Sequence, residues 1–152
     1  MDQTTLERIK LAHPIIRQKL EQEYKEINSK LPKGVRLRFA YVYRSIDEQN
    51  ALFKQKPKVT NAKGGQSIHN YGLAFDIVLL YDKDNNETFE TASWEKNSYW
   101  MQVVNYFKSK GWEWGGDWKK FKDAPHFQQS YKWQDLAKLP TFTENGIKYP
   151  KL

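Results

Sequence analysis

The sequence predicts a single α+β domain in which helices flank a small antiparallel sheet. The chain has 152 residues, which is the usual size of one domain. Hydrophobic residues make up 39% and aromatic residues 15%, which favours a packed core. Helical patterns come first and strand patterns later, without a regular strand–helix–strand alternation. Residues 1–152 are therefore expected to form one domain, without linkers or internal repeats.

The first thirty residues predict two helices. Thr4 and Glu7 have the spacing of a capping box, with Thr4 as the N-cap of a short helix that ends near residue 12. Pro14 suits the first position of a second helix. Apolar residues recur at helical spacing over 14–30, so this helix is amphipathic.

A strand followed by a helix is predicted next. Apolar and polar residues alternate over 35–43, which indicates a half-buried strand. A second capping box at 45–48 begins a helix that runs to about residue 55. Arg44 and Gln49 therefore lie at a strand-to-helix junction, where functional side chains often sit on a rigid base.

The second half of the chain predicts the rest of the sheet, because short apolar runs are bounded by turn-forming residues. The predicted elements are a loop over 56–66, strands over 73–80, 88–91, 112–114 and 126–129, and helices over 99–107 and 133–139. The segment after Pro140 shows no pattern that predicts an element.

Charge and composition limit the partners and the chemistry. The net charge is +7, which suits an anionic partner such as nucleic acid, an acidic membrane or a wall polymer; the alternative is a role in solubility alone. The lysines are scattered and accompany no nucleic-acid-binding motif, so we expect no nucleic-acid partner. Because there is no cysteine, a metal could be held only by histidines and carboxylates.

No signal peptide or membrane-spanning segment is predicted. The N-terminal residues have no charged region followed by an apolar run. No segment approaches the roughly 18 apolar residues that span a bilayer. We therefore expect no membrane insertion, and synthesis in the cytoplasm unless the chain was trimmed.

Two short stretches supply the residues of a catalytic metal site. His69 and Asp76 are seven residues apart with Gly72 between them, and Asp123 and His126 follow later in the chain. Two histidines, one carboxylate and a further carboxylate as base are what a catalytic zinc site requires. Gly72 would permit the bend that brings both side chains of the first stretch to one ion.

Each of these residues also has a simpler interpretation. His69 on its own would most often be a surface histidine or one whose hydrogen bonds are satisfied. Asp76 is the only charge in an apolar strand, which is costly unless the carboxylate binds a metal or pairs with an arginine or lysine. His126 could be a core histidine beside Phe127. Asp123 could reach the metal only if its segment turns, because in a straight strand its side chain and that of His126 would point to opposite faces.

These residues lie in motifs that resemble a zinc peptidase family, which includes vancomycin-resistance D,D-peptidases and L-alanyl-D-glutamate endopeptidases. The shared positions are Ser67, His69, Gly72, Ala74 and Asp76, followed by Asp123, Pro125, His126 and Phe127. Further matches are Tyr43-Arg44-Ser45 with Gln49, and the sequence from Trp114 to Trp118. The resemblance covers about residues 35–129. Asp123 and the loop from Trp114 to Trp118 are more similar to those of the L-alanyl-D-glutamate endopeptidases.

The resemblance implies the roles of the catalytic residues. It implies that His69, Asp76 and His126 bind Zn²⁺. It also implies that Asp123 is the catalytic base, where the D,D-dipeptidases carry Glu. Arg44 would contact the scissile carbonyl or the developing oxyanion.

The resemblance also implies contacts with a peptide. Ser67 would bind the substrate and Gln49 would lie beside the catalytic arginine. By residue type alone, Trp112, Trp114 and Trp118 could line the substrate groove, although tryptophans in a small domain more often belong to the core.

The function expected from this resemblance is zinc-dependent hydrolysis of the peptidoglycan stem peptide at the L-Ala–D-Glu bond. The enzyme would be a monomer that acts on the cell wall like an endolysin, reaching it at lysis or by another export route. Two alternatives remain open: a D-Ala-D-Ala carboxypeptidase of the same family, and a non-catalytic zinc-bearing module that binds the wall. A basic nucleic-acid-binding protein is a third, weaker alternative.

Overall fold

Helices and two antiparallel sheets build the molecule, seen in a computed structural model that describes residues 1–89 and 91–152. The helices are α1 (Gln3–Ile9), α2 (Pro14–Ser29), α3 (Ile46–Lys54), α4 (Ser98–Ser109) and α5 (Trp133–Leu136). The strands are β1 (Val35–Tyr41), β2 (Ala74–Tyr81), β3 (Thr91–Ser93), β4 (Glu113–Trp114), β5 (His126–Gln128), β6 (Thr141–Glu144) and β7 (Ile147–Pro150). Short 3₁₀ turns lie at Ile68–Tyr71 and Gly115–Asp117. The predicted α+β class with a small antiparallel sheet is confirmed.

Strand β2 is the centre of the main sheet. It pairs with β1 on one edge, and on the other edge with β5 near its start and β3 near its end. Strand β4 completes the sheet beside β5. The β2–β5 register places Asp76 opposite His126, and the β1–β2 register places Tyr41 beside the same aspartate. The sheet therefore brings together residues that are far apart in the sequence.

The core is a cluster of aromatic rings on the face of the sheet that the helices cover. Phe75 stacks on Phe127 of β5 at 5.1 Å and on Phe39 of β1 at 4.6 Å between ring centroids, and Phe107 of α4 packs on its edge at 4.8 Å. All four rings are fully buried. Neighbouring strand residues point to opposite faces, so Asp76 is directed away from this cluster. Burial of each ring contributes about 1.5–3 kcal/mol to stability.

The first helix begins earlier than the predicted N-cap. Asp2, not Thr4, caps α1: its carboxylate accepts hydrogen bonds from Thr5 N at 3.1 Å and Thr5 Oγ1 at 2.6 Å. The same carboxylate pairs with the guanidinium of Arg38 on β1 at 2.9 Å. The local capping-box pattern was overridden because a tertiary ion pair fixes Asp2 as the cap.

Other boundaries are close to the predicted ones. The capping box of α3 is present, with Ser45 and Glu48 satisfying each other's backbone N–H groups. Strand β1 ends at residue 41 instead of 43; its ladder with β2 is irregular after Phe39 and resumes at Tyr41. The return strand predicted over 88–91 includes position 90, which lies outside the described residues; the strand that pairs with β2 is β3.

The C-terminal hairpin of β6 and β7 was not predicted. It packs against His13, whose Nε2 donates to the carbonyl of Pro150 at 2.7 Å and whose Nδ1 accepts from Ile15 N at 3.1 Å. Tyr149 of β7 meets the imidazole edge-on at 5.4 Å. Both nitrogens of His13 are therefore used in holding α2 to the hairpin.

The described helices are all too short or too polar to cross a membrane.

Replacing Asp2 with Ala is expected to lower the free energy of unfolding by about 1–3 kcal/mol at pH 7, because α1 loses its cap and Arg38 loses its partner. Although burial opposes ionisation, hydrogen bonds from Arg38 and Thr5 lower the pKa of Asp2 below its usual value. The stabilisation is therefore present above the ordinary carboxyl pKa and disappears as the pH falls through the lowered one. Urea unfolding at several pH values measures this difference.

Glu7→Ala is the control for the Asp2 substitution, because Glu7 lies on the same helix and pairs with Lys10 only at an exposed position. Equal losses of stability in the two variants at pH 7 would contradict the assigned role of Asp2.

Candidate active site

His69, Asp76 and His126 form a cluster that could hold a metal ion. Asp76 Oδ1 lies 3.1 Å from His69 Nε2 and 3.0 Å from His126 Nδ1. One ligand atom from each residue lies within 4.8 Å of the others. Tetrahedral ligands of zinc with bonds of about 2.0–2.1 Å are roughly 3.3 Å apart, so the spacing suits one ion.

A turn ended by Gly72 brings His69 over the sheet. His69 lies in the 3₁₀ turn Ile68–Tyr71, whose N-cap is Ser67 and whose C-cap is Gly72 at φ +71°. A Cβ at position 72 would lie 2.6 Å from the backbone nitrogen of His13, so only glycine fits. The chain then reverses into β2, which carries Asp76. This is the bend that the spacing of the motif requires.

The register of the sheet brings His126 to the cluster. Because His126 is opposite Asp76 in the β2–β5 ladder, both side chains leave the sheet on the same face. Phe127, the next residue, enters the aromatic core on the other face. His126 is thus buried, but it faces the carboxylate and not the core.

The second nitrogen of each imidazole fixes its tautomer. His69 Nδ1 is 2.8 Å from the carbonyl of Val42, and His126 Nε2 is 2.7 Å from Gln128 Oε1. Each of these nitrogens must donate its hydrogen to the oxygen acceptor, so in the neutral ring the other nitrogen presents a lone pair to Asp76. Two lone pairs and a carboxylate that face one another need a cation between them, which can be a metal ion or protons on the imidazoles, so the donor set fits a bound metal.

Asp76 is suited to remain ionised in this position. Burial by itself would raise the pKa of Asp76, but the positive charge and hydrogen-bond donation of protonated His69 and His126 lower it well below its usual range, and a bound cation would act in the same direction. Within residues 1–89 and 91–152, its ion-pair partners are these two histidines, and no arginine or lysine pairs with it. The alternative interpretation of Asp76 as half of a simple salt bridge is therefore not supported.

Asp123 reaches the cluster because its segment turns. The carbonyl of Asp123 accepts a hydrogen bond from His126 N at 3.1 Å, which closes a tight turn. Its carboxylate Oδ2 lies 4.0 Å from His126 Nδ1, with the side chain 47% exposed. Partial burial, together with the charge of Asp76, raises its pKa, which the histidines and Arg44 oppose. A carboxyl group with a raised pKa beside a metal cluster is suited to proton transfer.

The loop after β4 holds this turn in place. Asp123 N donates to Gly115 O at 3.0 Å, and a Cβ at position 115 would lie 2.3 Å from the carbonyl oxygen of Asp123. Trp114 Nε1 donates to the carbonyl of Ala124 at 2.6 Å. Close packing around a glycine and one indole hydrogen bond therefore set the position of the acid.

Arg44 is buried at the edge of the cluster. Its Nη1 donates to Gln49 Oε1 at 2.9 Å, and its guanidinium lies over the ring of Tyr41 at 4.4 Å. Gln49 is itself fully buried and donates to the carbonyl of Ala62 at 2.9 Å. Arg44 Nε has no hydrogen-bond partner among the described residues. The arginine is thus held by one side and keeps donors available on the other.

These residues surround one open cleft of about 880 Å³. The predicted site residues that line it are Arg44, Ser67, His69, Asp76, Asp123 and His126. Gln49 and Trp114 do not line the cleft: the first lies behind the arginine and the second behind the turn of Asp123. Of the three tryptophans considered for the groove, Trp118 lines the cleft, and Trp112 and Trp114 do not.

Two residues that support the site were not predicted from the sequence. Gln128 orients His126, and Asn70 joins several parts of the site. Asn70 Nδ2 donates to the carbonyl of Arg44 at 2.9 Å, while its Oδ1 accepts from the backbone of Gly65 and Ser67 at 3.0 and 3.1 Å. The spacing of Ser67 and Asn70 as a capping pair was the available signal for Asn70.

Known proteins are similar to this chain in sequence and in fold. A family model described as D-alanyl-D-alanine carboxypeptidase, of the M15 peptidases, matches residues 60–129. The chain is 38% identical over 125 residues to the peptidoglycan L-alanyl-D-glutamate endopeptidase CwlK of Bacillus subtilis (strain 168), covering 76% of this chain and 72% of that protein. The chain therefore belongs to the M15 family of peptidases.

Two further similarities are more limited. The L-alanyl-D-glutamate peptidase of Listeria phage A118 is 33% identical over 84 residues, which are 52% of this chain and 27% of the phage protein. The crystal structure of the L-Ala D-Glu endopeptidase ChiX of Serratia marcescens has the same fold, with a TM-score of 0.61 at 22% identity over 89% of this chain and 91% of that one.

Replacing Gln128 with Leu is expected to lower the affinity for Zn²⁺ about tenfold or more, because His126 Nε2 loses the acceptor that fixes its tautomer. Competition with a chromophoric chelator measures the affinity. Gln129→Leu is the matched control, since Gln129 is the neighbouring residue and lies outside the cleft lining. Equal affinities of the two variants would show that Gln128 does not orient the ligand.

Proposed function

We propose that the protein is a zinc-dependent endopeptidase that hydrolyses the L-Ala–D-Glu bond of the peptidoglycan stem peptide. The observation that carries this proposal is the position of Asp123, a half-exposed carboxylate beside a His–Asp–His cluster in an open cleft that also contains Arg44. The names of CwlK and of the phage peptidase supply the bond that is cut.

His69, Asp76 and His126 would hold the zinc ion through Nε2, a carboxylate oxygen and Nδ1, respectively. When bound in a site with an open position, zinc polarises a carbonyl and makes hydroxide available near neutral pH. The hydrogen bonds of the two imidazoles to Val42 and Gln128 keep both rings in the tautomer that can bind.

Asp123 would act as the general base and then as the general acid. Its carboxylate faces the cluster and would accept a proton from the attacking water. The same group would pass that proton to the nitrogen of the leaving amine, because a carboxyl with a raised pKa can serve in both directions. Hydrolysis then yields one new carboxylate and one new amine.

Arg44 would donate hydrogen bonds to the oxygen of the scissile carbonyl as negative charge develops there. Its guanidinium is already oriented by Gln49 and Tyr41, so little reorganisation is needed during the reaction. Gln49 and Trp114 would act by holding Arg44 and the Asp123 turn, and Ser67, which lines the cleft, would contact the peptide.

A D-Ala-D-Ala carboxypeptidase is the second candidate, because the matching family model is described by that activity. Mass spectrometry of purified muropeptides after digestion separates the two activities. New termini at L-Ala and D-Glu support the endopeptidase. Release of free D-Ala with intact L-Ala–D-Glu bonds would replace the first proposal with the second. We propose a monomer that acts at the cell wall in either case.

Asp123→Asn is expected to reduce kcat at least 10²-fold while zinc stays bound, because the amide preserves the shape of the side chain but cannot accept the proton. Turnover of muropeptides and the zinc content after dialysis are the two measurements. Asp117→Asn is the control, since this exposed aspartate pairs with Lys108 outside the cleft. Wall lysis that survives in Asp123→Asn would indicate another base; binding without any hydrolysis by the native protein would indicate a wall-binding module.

Arg44→Met is expected to lower kcat and kcat/KM together by about 10²–10³-fold, because the interaction lost is one made in the transition state. Steady-state kinetics on a soluble stem peptide tests this. Arg36→Met, on β1 and outside the cleft, should retain nearly full activity. A rise in KM alone for Arg44→Met would show that the arginine binds the ground state and does not stabilise the oxyanion.

A further inference from the structure

We propose that Lys122 and Lys132 bind a carboxylate on the substrate residue that departs with the new amine, and that they make the enzyme selective for the anionic form of that residue. This inference rests on the proposed function and adds the substrate group that the cleft selects. Both lysines line the cleft and are exposed. Neither has an ion-pair partner among residues 1–89 and 91–152, so both ammonium groups remain available.

Charge is distributed unequally around the cleft. Among the described lining residues, those contributed by 59–68 carry no charge. The two lysines of that loop that flank the lining, Lys58 and Lys63, instead approach the ring of Phe53 at 5.8 and 5.4 Å. The lining residues from 118–134 include Lys122 and Lys132 together with Asp123, so this segment keeps an excess of positive charge. An anionic group of the substrate would therefore be attracted to the 118–134 segment.

The same segment carries the proposed proton donor. Asp123 would deliver its proton to the leaving nitrogen, and Lys122 is its neighbour in the chain. The residue that leaves with that nitrogen must therefore bind beside 118–134. If it is D-Glu, it has two carboxyl groups, of which the peptide chain uses only one. The other lies within a few bonds of the nitrogen and remains a free anion near the lysines.

The substrate carboxylate needs such cations because the cleft also contains a free acid. Asp123 lines the cleft and would repel the substrate carboxylate, whereas the charge of Asp76 would be offset by the metal. Arg44 is buried against Gln49 and Tyr41, and its free donors are directed to the reacting carbonyl in the proposed function. Lys122 and Lys132, the two lysines among the described lining residues, offset this repulsion. Since both are exposed, each contributes modestly, about two- to fivefold in kcat/KM.

The same chemistry occurs in the alternative substrate. In the carboxypeptidase reaction the leaving residue is the C-terminal D-Ala. It departs with the new amine and carries a free carboxylate on the carbon next to that nitrogen. The shared feature is a carboxylate on the leaving residue, and the experiment must distinguish which residue bears it.

The test compares the native protein, loaded with zinc, with Lys122→Gln, Lys132→Gln and the double variant on two soluble stem peptides. The peptides differ only in the free carboxyl of D-Glu, which one carries as a carboxylate and the other as a carboxamide. We expect the native enzyme to prefer the carboxylate peptide. Each single variant should lose about two- to fivefold in kcat/KM on that peptide, with little change on the carboxamide peptide, so that the preference collapses in the double variant.

The matched control is the double variant Lys119→Gln, Lys120→Gln, which removes the same charge from exposed positions outside the cleft lining. The proposal is overturned if this control loses the preference equally, or if the Lys122 and Lys132 variants lose activity equally on both peptides. A native enzyme that cuts both peptides equally well also overturns it, while the proposed function stands. Release of D-Ala with no cleavage at D-Glu would instead refute the proposed endopeptidase. In that case the lysine variants are tested on a pair of peptides that end in D-Ala, one with a C-terminal carboxylate and the other with a C-terminal carboxamide.

Discussion

The site depends on the antiparallel pairing of β2 with β5. This register sets Asp76 opposite His126, and the neighbouring pair, Phe75 and Phe127, stacks in the core on the other face. The hydrophobic contact and the ligand pair are consequences of the same alignment. A shift by one residue would turn Asp76 into the aromatic cluster and separate it from His126. The core therefore supplies the precision that the metal cluster needs.

The buried carboxylate of Asp76 makes a metal the natural occupant of the cluster. The outer nitrogens of the two imidazoles are committed to Val42 and Gln128, so the neutral rings turn their lone pairs to Asp76. An ionised carboxylate facing two nitrogen lone pairs is costly in a buried site unless a cation lies between them. The residues around the ligands thus determine the chemistry as much as the ligands themselves.

Groups with different tasks differ in how tightly they are held. The metal ligands and Arg44 are buried and have defined hydrogen-bond partners, with Asn70 joining the arginine junction to the His69 turn. Asp123 is half exposed on a turn that is fixed mainly through its backbone. A rigid cluster can position the scissile carbonyl, whereas an acid that transfers a proton benefits from access to solvent. The cleft lysines are exposed and suit attraction of charge more than precise orientation.

Much of the secondary structure and of the candidate site could be predicted from the sequence, because the patterns that indicate them are local or depend on residue type. The alternation of β1, the helical period of α2 and the capping box of α3 were sufficient for those elements. The absence of cysteine restricted any metal to histidine and carboxylate ligands. The N-cap at Asp2 was missed because it depends on Arg38, which is distant in the chain. The C-terminal hairpin has a local signal, the turn residues Asn145-Gly146, both at positive φ, which the sequence-based prediction did not use.

The sequence by itself determined the candidate ligands, the base and the arginine, since their residue types and spacing are visible without a fold. Only the tertiary structure decided which of them meet. It showed that the Asp123 segment turns, that Gln49 and Trp114 lie behind the cleft, and that Trp118 lines it. The physical reason is that facing and burial depend on strand register and on packing between distant segments, which no local pattern encodes.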